Sequence, residues 1–165
     1  MPDTSTEVAI ATTTLTGSGL VTFSSIPSTY TDLRLVFTNI GSANGQATYL
    51  RFNSDSGTNY SYTDLYSNGT VAGTVNNVNL TNIPISYAGT STTIPRLYTY
   101  DIFSYAGSTN KTSLITVSDN NNNSGFTARI VGLWRSTSAI NSISLYLSGS
   151  GTYAAGTTAT LYGIL

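Results

Sequence analysis

Apolar side chains alternate with polar ones along most of this 165-residue chain, and that spacing constrains the fold more than any other feature. Leu33, Leu35 and Phe37, for example, are each separated by a single residue. Side chains two apart share one face of a β-strand, whereas the repeat of a helix is 3.6 residues. No long stretch keeps helical spacing, so the chain is predicted to be all-β.

The alternating segments predict about nine or ten short strands, with turn signals roughly every 8–12 residues. They cover residues 8–12, 20–24, 33–37, 49–53, 60–66, 96–105, 111–119, 126–134, 143–147 and 159–163. Asn68-Gly69 predicts a two-residue type I′ hairpin turn, which needs positive φ at both central positions. Residues 71–95 contain Pro84 and Pro95. We expect a long connection there with one or two short edge strands, because proline is confined to sheet edges.

Short strands at this spacing are typical of a sandwich or jelly roll. We therefore expect an antiparallel, jelly-roll-like β-sandwich of about 8–10 strands. Residues 1–12 are expected to form an N-terminal arm that includes the first strand, and residues 13–165 a single sandwich domain. A chain of this length can bury a core of its own without a disulfide or a metal.

The chain has no cysteine and no histidine. Thiolate chemistry, disulfides, Ser-His-Asp triads and imidazole–metal sites are therefore excluded. Charged residues make up 8 % of the sequence, against about 25 % in an average globular domain. One lysine and five arginines are scattered along the chain. A groove for phosphates needs clustered basic residues, so we expect no nucleic-acid partner.

Residues 1–7 lack a basic segment followed by an apolar one, which predicts that no secretory signal is present. The apolar runs are a few residues long, far below the roughly 20 residues that span a membrane. We therefore expect no membrane partner.

Two groups of residues could form a metal-binding or a catalytic site. Residues 119–125 resemble an oxygen-rich calcium loop, but Ser124 and Ile130 occupy the positions where that loop requires glycine and glutamate. A polar hairpin loop is the preferred interpretation. Paired carboxylates could hydrolyse a glycoside without histidine. Asp55, Asp64 and Asp101 are the candidates, but ordinary turn and strand-face positions explain them, with Asp101 expected to pair with an arginine or a tyrosine hydroxyl. We predict no catalytic residue, no cofactor and no metal.

Tyrosine occurs twelve times and clusters at Tyr60, Tyr62 and Tyr66. Exposed tyrosine rings suit protein interfaces and stacking on sugars. The alternative is cross-strand packing within the sandwich. Both interpretations remain open from the sequence. Val8 and Ile10 in the arm are further candidates for contact with a partner.

Three segments resemble small virion proteins of tailed bacteriophages, of the type found in cyanophages and marine phages. They are residues 23–35, residues 51–60 and the C-terminal part from Ile140, which ends in Tyr153-Ala-Ala-Gly-Thr-Thr-Ala-Thr-Leu-Tyr-Gly-Ile164. The resemblance covers about half of the chain and does not include residues 68–95. It implies a β-sandwich attached to the particle, often as a homotrimer, and it implies no catalytic residue.

From these observations we expect a capsid decoration (cement) protein on the outer surface of a virion, synthesised in the host cytoplasm. Its partners would be the major capsid protein and other copies of itself. Val8 and Ile10 would anchor the arm on the shell or on an adjacent subunit, and deleting residues 1–12 would then release the protein from particles. The alternative is a receptor- or glycan-binding module of a phage tail or head fibre, in which Tyr60, Tyr62 and Tyr66 stack on sugar rings. An enzyme acting on polysaccharide is a distant third.

Overall fold

The computed structural model describes residues 6–85, 90–120 and 125–165, which form twelve β-strands and one 3-10 turn (Ser148–Ser150). The strands are β1 (Glu7–Thr14), β2 (Val21–Phe23), β3 (Asp32–Asn39), β4 (Thr48–Phe52), β5 (Tyr60–Ser67), β6 (Ala72–Leu80), β7 (Ile83–Ile85), β8 (Arg96–Phe103), β9 (Lys111–Asn120), β10 (Gly125–Trp134), β11 (Ile143–Leu147) and β12 (Thr158–Ile164). These segments contain no α-helix, so the all-β prediction is confirmed.

The strands form two antiparallel sheets. The larger sheet has eight strands in the order β1-β12-β3-β8-β9-β10-β5-β6, and the smaller has four in the order β2-β11-β4-β7. Their inner faces pack together, as shown by the ring of Phe52 on β4, whose centroid lies 5.6 Å from that of Trp134 on β10. The predicted antiparallel β-sandwich is therefore present.

The core lies between the sheets and follows the alternation seen in the sequence. In β3, Leu33, Leu35 and Phe37 are at most 1 % exposed, while the residues between them are half-buried. Burying a large apolar side chain contributes about 1.5–3 kcal/mol. A register slip of one residue would turn this whole set to the solvent, so the pairing register is strongly specified.

The segment 71–95 holds more regular structure than the sequence predicts. β6 and β7 are both edge strands as expected, and β7 contains Pro84. However, β6 is nine residues long rather than short. Its side chains are exposed or half-buried throughout, so it lacks the buried apolar positions that mark a strand in a sequence.

The hairpin predicted at Asn68-Gly69 is present, but its centre is shifted by one residue. The amide of Asn68 donates to the carbonyl of Val71, so Gly69 and Thr70 are the central residues. Only Gly69 of these two has a positive φ, 86°, which fits a type II′ turn better than type I′. The Asn68 side chain accepts hydrogen bonds from the amides of Thr70 and Val71.

The predicted N-terminal arm is part of the sandwich from residue 7 onward. β1 pairs with β12 from Glu7–Ile164 to Thr14–Thr158, with a bulge between Ala9 and Ala11. The first strand therefore runs to Thr14, two residues past the predicted arm, and forms one edge of the larger sheet.

Candidate protein-binding face

The three carboxylates considered for catalysis each have a local structural partner. Asp55 accepts hydrogen bonds from the indole Nε1 of Trp134 at 2.7 Å and from the side chain of Asn59 at 2.9 Å. The bond from Trp134 is the main cause that lowers the pKa of Asp55. Asp101 pairs with Arg34 at 2.6 Å, which confirms the pairing expected for it.

Asp64 is the buried member of this group, with 4 % exposure on the inner face of β5. Its Oδ1 atom accepts a hydrogen bond from the amide of Val75 on the neighbouring strand, at 2.9 Å. Burial raises the pKa of Asp64. None of the three carboxylates shares a hydrogen-bonding partner with another, so the geometry gives no acid–base pair.

No group of three or more acidic side chains within residues 6–85, 90–120 and 125–165 is placed to hold a metal ion. Of the calcium-like segment, residues 121–124 lie outside the described residues. Its first residue, Asp119, is bound by Arg96 through both Nε, at 2.6 Å, and Nη2. This pair is 9–12 % exposed at its side chains, so the Asp119 carboxylate already has a cationic partner.

Two of the three tyrosines proposed for partner contact lie inside the sandwich. Tyr60 is 0 % exposed and Tyr62 is 5 % exposed. The Tyr60 hydroxyl bonds both the amide and the carbonyl of Phe52, at 3.0 and 3.1 Å, and so links β5 to β4 of the other sheet. The Tyr62 hydroxyl accepts from Asn77 on β6. This corrects the expectation that they stack on a sugar, because a ligand could reach neither ring without opening the fold.

Tyr66 differs from the other two because it reaches the surface. Its ring is half-buried and stacks on Phe126, with the centroids 6.2 Å apart and the planes 14° apart. A Cβ atom at Gly73 would lie 2.7 Å from the Tyr66 hydroxyl, so the ring lies directly over the backbone of β6. On the opposite face of β5, a depression of about 360 Å³ is lined by Leu65, Thr127 and Arg129.

Val8 and Ile10 lie half-buried on β1. Ile10 packs against the core of its own chain, and Val8 pairs with Gly163 of β12. Deleting residues 1–12 would therefore remove most of an edge strand, and so would test the fold as well as any contact with a particle.

The few charged side chains are mostly used within the molecule. Lys111 is 1 % exposed, and its Nζ atom donates to the carbonyls of Gly107, at 2.7 Å, and Thr109. Arg34 binds Asp101 and also Glu7 of β1. The hydrogen bond with Asp101 is the main cause that raises the pKa of Arg34. These internal pairs leave little net charge for the surface.

The side of the larger sheet that points away from the smaller sheet is here named the outer face. One row of it runs straight across five strands, because the pairing places these residues side by side: Leu65, Arg129, Thr116, Thr99 and Val36. Arg129 is exposed. The remainder of this row is hydroxyl-bearing or aliphatic, so the surface that it presents is almost uncharged.

Large apolar side chains project from the outer face into solvent. Leu65 is 60 % exposed, Val131 50 %, and Leu97 and Phe103 43 % each. They lie on β5, β10 and β8 of the eight-stranded sheet, with Leu65 and Val131 on neighbouring strands. Exposed apolar residues on one face can mark a site of contact with another molecule.

The interpretation of the sequence missed this face, although the signal was present. A strand with one solvated face carries polar residues at the positions between its buried ones. Leu65, Val131 and Leu97 occupy such positions. Apolar residues at these solvent-facing positions could have identified the outer face.

Comparison with models of protein families, with curated proteins and with solved structures gave no match to this chain. Within the described residues, no helix is long and apolar enough to cross a membrane.

Proposed function

We propose that this chain is a structural protein of a virus particle, a decoration (cement) protein that binds the major capsid protein through its outer face. The observation that carries the proposal is the outer face, where four large apolar side chains are exposed and the charged Glu7, Arg34 and Asp101 pair with one another. The resemblance of three segments to virion proteins of tailed bacteriophages supports the same role. So does the internal use of Asp55, Asp64 and Asp101, each of which bonds to a structural partner.

The size of the outer face suits a stable protein contact. Eight strands spaced about 4.8 Å apart give a width of roughly 34 Å, and eight residues at about 3.3 Å each give a length of roughly 26 Å. The product is about 900 Å², comparable with the roughly 800 Å² that each partner contributes to a standard interface. A homotrimer, as the resemblance implies, would bring three such faces to the shell.

Charge placed on the outer face tests this proposal. Val131→Glu should abolish retention of the purified protein on phage particles that lack it, because an unpaired carboxylate would be buried in the contact. Leu20→Glu is the matched control, since Leu20 is 52 % exposed against 50 % for Val131 but lies outside the outer face. Retention of the Val131 variant equal to that of the control, in a sedimentation assay, would contradict the proposal.

We further propose that the sandwich is an elaborated jelly roll. Half of the larger sheet, β1-β12-β3-β8, and the whole smaller sheet, β2-β11-β4-β7, are two four-stranded series whose members alternate between early and late strands, as two interleaved Greek keys require. The hairpins β5–β6 and β9–β10 add the other four strands to one edge of the larger sheet. A variant that lacks residues 112–133 would test whether β9–β10 is an insertion. If it is, the remaining strands should keep a folded core.

The second candidate is a glycan-binding module, and one observation favours it. The depression on the outer face combines the apolar side chain of Leu65 with the hydroxyls of Thr116 and Thr127 and the guanidinium of Arg129. An apolar surface with a few polar groups is typical of small-molecule sites, and these polar groups can bond sugar hydroxyls. Specific binding on a glycan array that is lost in Arg129→Ala would favour this candidate over cement, whereas loss of particle stability without the protein would favour cement.

A further inference from the structure

The four edges of the two sheets differ in how they are protected against pairing with another strand. Natural edge strands are blocked by shortness, proline, charge or bulges. β2 and β7 have three residues each, and β7 contains Pro84. β1 carries a bulge after Ala9 and the charged Glu7. β6 has nine residues with no charge and no proline; it pairs regularly with β5 from Ala72 to Asn77, and its bulge lies beyond that segment, before Leu80.

Among the described residues, no strand pairs with the free side of β6. The Asn68–Val71 hydrogen bond closes the hairpin, and hydrogen-bonded pairs alternate along an antiparallel ladder. Gly73, Val75 and Asn77 therefore direct their backbone groups towards β5. The amides and carbonyls of Ala72, Thr74 and Asn76 point away from the sheet, towards whatever lies beyond it.

Side chains leave this edge open. Asn76 donates to the Thr63 hydroxyl at 2.7 Å, and Asn77 donates to the Tyr62 hydroxyl at 3.1 Å, so both amides reach back over β5. Val71 and Val78, which flank the regular segment, are 55 % and 57 % exposed. Within residues 6–85, 90–120 and 125–165, the edge is thus a ladder that no strand covers, with an apolar residue at each end.

We propose that β6 binds β6 of a second copy of this chain, antiparallel, about a twofold axis at Thr74. This register joins all three outward-directed residues, since Thr74 meets its own equivalent and Ala72 meets Asn76. On the inner side Gly73 faces Val75 of the other copy, and the Tyr66 ring that lies over Gly73 offers that valine an apolar surface. No like charges meet, because β6 has none.

The pair makes one continuous sixteen-stranded sheet, because each copy contributes the eight strands of its larger sheet. It uses the edge of that sheet, whereas the proposed contact with a shell uses the outer face. The two contacts can form together, and the β6 contact does not depend on the proposed function. It would join copies two at a time.

The first test is the mass of the purified full chain in solution by light scattering. The wild type should reach twice 17.4 kDa as its concentration rises. Thr74→Lys should stay monomeric, because two ammonium groups would meet at the axis. Thr127→Lys is the matched control, an exposed threonine on β10, and should dimerise like the wild type. Thr74→Pro removes one outward amide per copy and should weaken the dimer at least about tenfold.

The second test is cross-linking, which is clean because the chain has no cysteine. Thr74→Cys should form an intermolecular disulfide, because Cα atoms of a hydrogen-bonded pair lie about 5.5 Å apart, within the range for disulfides. Thr127→Cys should not, because five strand spacings would separate the two positions by roughly 24 Å. A wild-type mass that stays at one chain, a trimer, or a dimer that survives Thr74→Lys would overturn the proposal.

Discussion

The same substitution at two buried tyrosines should change stability in opposite directions. Tyr60 and Tyr100 are both 0 % exposed, so replacing either by phenylalanine removes one hydroxyl from the interior. The Tyr60 hydroxyl bonds the amide and carbonyl of Phe52. β7 pairs with β4 only from Thr48 to Leu50, so this hydroxyl takes the place of a strand neighbour for Phe52. The Tyr100 hydroxyl has no hydrogen-bond partner among the described residues.

The magnitudes follow from these contacts. Tyr60→Phe loses two hydrogen bonds and leaves the Phe52 amide without that partner, at a cost of about 2–3 kcal/mol. For a domain of this size that corresponds to a fall in Tm of roughly 5–10 °C. Tyr100→Phe removes a buried hydroxyl that makes no bond. Its effect should lie between no change and a gain of about 1 kcal/mol.

Urea unfolding followed by the fluorescence of Trp134, the single tryptophan, measures both changes. Wild-type and variant curves should share one slope, so that the midpoints report stability alone. Equal losses in the two variants would refute the reasoning, because they would show that a hydroxyl at either place stabilises the core alike. An unchanged Tyr60→Phe protein would also refute it.

Two further predictions concern the interior. Asp64→Asn should stabilise the fold at pH 7 and lose that advantage towards pH 4, measured as urea midpoints at both values; a variant less stable at pH 7 would contradict this. The sign follows because burial raises the pKa of Asp64 in the folded state, so its stability contribution is present at acid pH and is lost as the pH rises through that pKa. Gly163→Ala should cost about 1–3 kcal/mol, since a Cβ there would lie 2.3 Å from the Tyr30 ring. Gly17→Ala, with nothing within 4 Å of its Cβ position, should leave Tm unchanged, and equal Tm values for the two variants would count against the close approach.

Much of the fold could be predicted because one face of most strands is buried. Leu33, Leu35 and Phe37 of β3 show the alternation that burial imposes, and β3 lies where it was predicted. β6 could not be judged in the same way, because an edge strand with exposed or half-buried side chains leaves only a weak periodic signal. Strand order also could not be predicted, since alternation states which face is buried but not which strand lies beside it.

The candidate site was harder to predict than the fold. The sequence of β5 alternates Tyr60, Tyr62 and Tyr66 with Ser61, Thr63 and Leu65. Either of these two sets of side chains could be the buried one. In the structure, the side of β5 that carries Tyr60 and Tyr62 faces the smaller sheet, so these two residues are buried and Leu65 is exposed. A tyrosine can serve on either face, so its presence alone did not identify which side meets a partner.

The position of Lys111 has a consequence for amine chemistry. It is the single lysine of the sequence, and its ammonium group is enclosed by the carbonyls of Gly107 and Thr109. Acylating reagents and aldehyde fixatives require a free, accessible amine, so the folded body should resist them. Modification at this residue would then report the opening of the turn between β8 and β9, and its rate would measure how often that turn comes away from the sandwich.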